Sequence, residues 1–302
     1  MIQNTQVMVD DSAPELKAIT ALIQTMKQND MSTFDSLIKS ASPTIFSIVF
    51  EKDTHTQSLL LHALSSENPV FLEKLLPLCQ NEAFYYRYNN HYEFNNEMLL
   101  GNGNLLEVCL YAGSYRMYMA KEDNNMLGKA KILLEHINTW KEFDFARFFK
   151  NKDLFNTIFK QERSYQLIVE TMKDEYLKEL LNVRYSTLTP YPALYIFDTC
   201  YKKMKVLNKV VSLIDTKVLE QGNTLLHYYS LKNYDPDTER YNIVHENVVK
   251  VLLKKGFDPK LANDLSETPE DKISFTKSYK EYHAKYLSRT LEQKTAAKTI
   301  KI

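Results

Sequence analysis

Three cysteines and seven histidines are the residues of this 302-residue chain best suited to nucleophilic or metal chemistry. Cys79, Cys109 and Cys200 lie far apart, and neither they nor the histidines show the short paired spacing of zinc ligands. Cys109 could serve as a nucleophile with His62 or His227 as its base, because stacked helical units bring helix starts together. Its setting, Leu106-Glu107-Val108-Cys109-Leu110, argues against this, since burial among aliphatic side chains favours the neutral thiol. Gly101-Asn102-Gly103-Asn104 has no Lys-Ser or Lys-Thr after it to make a phosphate loop, so it reads as a turn. An active site in the middle of the chain would need Glu162, Arg163, Glu170, Asp174 and Glu175 to converge in a pocket; they read as a solvated helix face. The expectation is no catalytic residue, no metal and no cofactor, with an enzyme sited in the middle segment as an alternative.

The segment Phe84-Tyr85-Tyr86-Arg87-Tyr88-Asn89-Asn90-His91-Tyr92-Glu93-Phe94 offers binding chemistry instead. Tyr and Arg desolvate large areas with few rotamers lost, which makes Tyr85, Tyr86, Arg87, Tyr88, Tyr92 and Phe94 the candidate partner-binding residues. The competing reading folds these rings back over the helices at 69–80.

The elements that position these residues follow from helical periodicity. Val248, Val249, Leu252 and Leu253 form an apolar stripe that another element must cover, and Gly256 follows Lys254 and Lys255 as a left-handed helix stop. Ahead of it stands Gly222-Asn223-Thr224-Leu225-Leu226-His227, with Thr224 placed to cap a helix; Asn263, Glu267 and Thr268-Pro269 come after it. In order and spacing this stretch resembles an ankyrin repeat. The resemblance implies an all-α fold, an ankyrin-type α-solenoid of irregular helix-turn-helix repeats, with His227 bonding the backbone of the neighbouring unit. Thr224 to Thr268 is 44 residues against a family period of about 33, so roughly 11 are extra, and the polar stretch 231–243 is expected to hold them as a loop or lengthened helix ends.

Further units are weaker. Residues 21–38 form a first, with Asn29 in place of the usual Gly. Leu59-Leu60-Leu61-His62 opens a second that retains the His, and Asn104-Leu105-Leu106-Glu107 a third with Glu107 in its place. The third carries a lengthened turn at 112–128. Thr189-Pro190 with Val206, Leu207, Val210 and Val211 precedes the clear repeat. Residues 141–183, with Phe145, Phe148, Phe149, Leu154, Phe155, Ile158 and Phe159, read as one degenerate helical pair or two. Leu75 to Asn104 is 29 residues against about 16 expected, which places the tyrosine segment in a lengthened hairpin between units. The expected organisation is N-terminal repeats over 1–140, a degenerate middle over 141–188, clear repeats over 189–272 and a capping helix with tail over 273–302. That long C-terminal helix is expected from about Pro269 to Lys294, sealed by Ile273, Tyr279, Tyr282, Tyr286, Leu287 and Leu291.

Composition restricts the partners. Thirty-eight basic residues balance thirty-eight acidic ones, which excludes the basic field that drives nucleic-acid binding. The lysines of 285–301 read as a solvated end. No apolar run is long enough to span a membrane, and Met1 to Ser12 lacks the order of a signal peptide. The cysteine usage fits reduced thiols in a cytoplasmic compartment. Six glycines in 302 residues leave most repeat turns without their usual residue, so irregular repeats are expected. The expected function is a monomeric, non-catalytic protein-interaction scaffold, with a regulator that occludes another enzyme as a second alternative. In composition and degenerate repeats the chain is similar to the ankyrin-containing effectors that intracellular bacteria send into the host cytosol, which implies virulence and a host protein as partner.

Overall fold

A computed structural model of the chain describes residues 14–52, 55–86, 88, 92–94, 97–99, 103–115, 124–144, 158, 161–183, 191–231, 244–285 and 288. Outside these lie Arg87, the phenylalanines of 145–159, residues 116–123 of the turn expected at 112–128, residues 232–243 of the turn expected at 231–243, and Tyr286, Leu287 and Leu291. The chain divides into two compact units, 1–173 and 174–302, so the boundary falls inside the middle segment and does not isolate it.

Unit 1 begins with α1 (Pro14–Gln28) and α2 (Met31–Ser40), which pack on each other across a two-residue turn. Asn29 adopts φ 54° there, the left-handed backbone that Asn tolerates, and Asp30 caps α2 by accepting the Thr33 N–H at 3.0 Å. An antiparallel hairpin follows, β1 (Val49–Lys52) with β2 (His55–Ser58), leading into α3 (Leu59–Ser65) and α4 (Val70–Leu75). A short α5 (Glu82–Tyr85) precedes a second hairpin, β3 (Tyr92–Phe94) with β4 (Glu97–Leu99); an isolated bridge between Tyr88 and Gly103 shares its register. Then come α6 (Leu105–Tyr115), α7 (Asn124–Ile137) and α8 (Glu162–Thr171).

Packing in unit 1 is between neighbours: α3 touches α1 and α4 on one side and α6 on the other, and α7 meets α4, α6 and α8. Each helix is too short to be stable in water alone, so burial of its stripe against the next must hold it. Phe34 of α2 and Phe71 of α4, both fully buried, meet edge to face at 4.8 Å. Burying a side chain of this size contributes about 1.5–3 kcal/mol.

Unit 2 repeats the pattern with α9 (Asp174–Asn182), α10 (Pro192–Thr199), α11 (Met204–Leu213), α12 (Leu225–Leu231) and α13 (Glu246–Lys255). α10 lies against α9, α11 and α12, and α11 against α13. The expected stripes are buried: Val206, Leu207, Val210 and Val211 on α11, and Val248, Val249, Leu252 and Leu253 on α13. Gly256 ends α13 with φ 107°, its N–H returned to the Leu252 and Leu253 carbonyls.

The long C-terminal helix is corrected. α14 (Glu270–Ile273) stops after one turn, and a separate helix occupies 277–285. Thr276 makes the break, because its hydroxyl donates to the Ile273 carbonyl at 2.6 Å and accepts the Tyr279 N–H at 3.2 Å. Glu246 at the start of α13 then accepts the N–H groups of Lys277 and Ser278, so an acidic side chain of the previous pair satisfies the new helix start. Ile273 and Tyr279 are buried as sealing residues.

Asparagine side chains tie one helical pair to the next. Asn138 donates to the Thr171 carbonyl at 2.8 Å and accepts the Lys173 N–H at 2.9 Å. In unit 2, Asn182 donates to the Leu213 carbonyl at 3.2 Å and accepts the Asp215 N–H at 2.8 Å. Each amide thereby satisfies backbone groups at the end of a helix some thirty residues along the chain. Replacing Asn182 by Ala should lower stability by about 1–3 kcal/mol, since it leaves a part-buried carbonyl and N–H without partners. Chemical denaturation checks this, with a fall in midpoint at constant slope expected.

Candidate functional site

The nucleophile candidates are enclosed. Cys109 is fully buried on α6 beside buried Leu105, Leu106 and Leu110. Cys79 is buried with Sγ 3.0 Å from the Phe46 carbonyl, and burial pushes its thiol pKa up to about 12. Among the described residues no three His, Cys, Asp or Glu side chains group to hold a metal. Glu162, Arg163, Glu170, Asp174 and Glu175 are all exposed.

His227 is occupied by scaffolding. Its Nδ1 accepts the Thr224 N–H at 3.1 Å and lies 2.9 Å from the Thr224 hydroxyl, while the His227 N–H reaches back to that hydroxyl at 3.4 Å. A backbone N–H can only donate, so Nδ1 is unprotonated; the proton sits on Nε2, which donates to the Leu261 carbonyl at 2.8 Å. The same reciprocal box opens α6, where the Asn104 N–H donates to Glu107 and the Glu107 N–H to Asn104, both at 3.0 Å and fully buried. Glu107 therefore holds the position of His227, as expected. His62 does not: Ser58 caps α3 through the Leu61 N–H at 3.1 Å, which puts Leu61 in that position and His62 one residue beyond, half-buried.

The tyrosine segment divides. Tyr88 is fully buried, with its hydroxyl 2.6 Å from Ser58 Oγ and its pKa raised chiefly by burial. It cannot present its ring to a partner, so its place among the binding residues is corrected: the capping Ser58 gives the phenol the polar partner that a buried Tyr needs. Tyr86 is half-buried, edge-on to Tyr88 at 5.2 Å. Tyr85 is half-buried against Trp140 and Phe143, and its hydroxyl accepts the Asp144 N–H at 3.0 Å. Tyr92 and Phe94 belong to β3, their side chains outside the described residues, as Arg87 is altogether.

Unit 2 offers a surface that the sequence did not single out. The loops 219–224 and 261–268 are zipped together: the Asp264 N–H donates to the Gln221 carbonyl at 3.1 Å, and Asn263 donates to Asn223 at 2.9 Å and to Glu267 at 3.1 Å. Asn263 also accepts the N–H groups of Leu265 and Glu267. Gly222, at φ 71°, is required, because an added Cβ would sit 2.7 Å from the Asp264 carboxylate and 2.9 Å from its backbone nitrogen. Gln221 and Ser266 hold left-handed backbone at φ 56° and 61°, a cost that non-glycine residues bear only where surroundings impose it. This frame projects Leu265, 71% exposed, beside a groove of about 200 Å³ that Tyr228, Leu231, Gln221 and Glu267 help to line. A polar groove of about 630 Å³ in unit 1, between the ends of α1 and α3, includes His62, Asn29 and Asn68. The available signal was an apolar Leu265 inside a polar turn, Asn263-Asp264-Leu265-Ser266-Glu267.

No family model matches the sequence, and no curated protein matches it. Among the described residues no helix is long and apolar enough to cross a membrane.

Replacing Tyr85, Tyr86 and Tyr88 together by Ser should lower the melting temperature sharply, because Tyr88 alone loses a buried ring worth about 3–5 kcal/mol. Thermal melts of the triple variant beside Tyr85→Ser check this, and the single variant should lose far less. For His227, burial holds the imidazole pKa below its ordinary value of 6.5. The unfolded chain therefore binds the proton first: the stability gained from neutral His227 is complete above pH 6.5 and is lost as pH falls towards the folded pKa. His136 and His245 are also lowered, chiefly by burial. His227→Ala should cost about 1–3 kcal/mol near neutral pH and make the acid-side decline shallower without abolishing it, as read from denaturation curves across pH.

Proposed function

We propose that this chain is a non-catalytic, ankyrin-type scaffold that binds a protein partner through the zipped loops of unit 2. The observation that carries the reading is the pairing of a rigid frame with an exposed apolar tip: Asn263 fixes both loops, and Leu265 stands 71% exposed between them. An aliphatic side chain held in water by a locally strained frame gains little for folding and fits a contact surface. The ankyrin-type reading is supported by helical pairs packed on their neighbours, by the two hairpins that join pairs in unit 1, and by the His227 bond to Leu261, 34 residues on. The compositional likeness to bacterial effectors makes a host protein the partner class to test first.

Leu265→Asp changes only the exposed tip and should leave the melting temperature unaltered. Immobilised full-length protein and this variant, exposed to host-cell lysate, should differ in one partner retained near stoichiometry by the first and lost by the second. Equal retention of the same proteins by both would overturn the reading.

A further inference from the structure

We draw no further inference here: the strongest candidate, the polar groove of about 630 Å³ between the ends of α1 and α3 in unit 1, is lined by Lys27 as well as Glu67, and nothing in the structure shows what occupies it.

Discussion

The constraint on which the structure depends is the satisfaction of backbone groups at buried helix ends. Short helices such as α6 and α12 start among buried residues. The first N–H groups of these helices lie in buried surroundings and must be bonded there. The chain uses side chains for this. His227 satisfies its own helix start and the Leu261 carbonyl together, Asn104 and Glu107 satisfy each other's N–H, and Asn138 and Asn182 reach the ends of later helices. His227, Asn138 and Asn182 are each worth more than one ordinary hydrogen bond, because loss of any of them strands two backbone groups.

This arrangement explains why the aromatic hairpin segment lies partly inward. Tyr88 completes the Ser58 cap, so the chain entering α3 is locked to the strand leading away from α5. Phe84, Tyr85, Trp140 and Phe143 form a continuous ring cluster. The aromatic content that suggests a binding surface is here partly consumed in bracing one pair against the next. Scarce glycine has a related consequence. Left-handed turns fall on Asn29, Gln221 and Ser266, where neighbouring bonds must hold what glycine would adopt freely, and this leaves the loops of unit 2 preset.

Much of the framework was legible in the sequence for plain physical reasons. Helical stripes such as Val248, Val249, Leu252 and Leu253 announce burial by their period alone, and the φ values of Gly256 and Asn29 follow from residue type beside a helix end. The position of Glu107 was readable because a capping box is a local, three-residue relation. Tertiary structure decided what depends on long-range partners. A Tyr at 88 is binding residue or core brace according to whether a hydroxyl thirty residues away meets it, and Ser58 does. His62 looked equivalent to His227 until the cap at Ser58 set the register one residue earlier. A helix continuing through Thr276 was equally compatible with the sequence, since Glu246 supplies the new helix start from a separate element. Leu265 likewise reads as an ordinary turn residue until Asn263 and Asn223 join the two loops and leave it in water. Local spacing thus determined the apolar stripes and some of the caps, and only the meeting of distant segments decided the register at Ser58, the break at Thr276 and which side chains remain available to a partner.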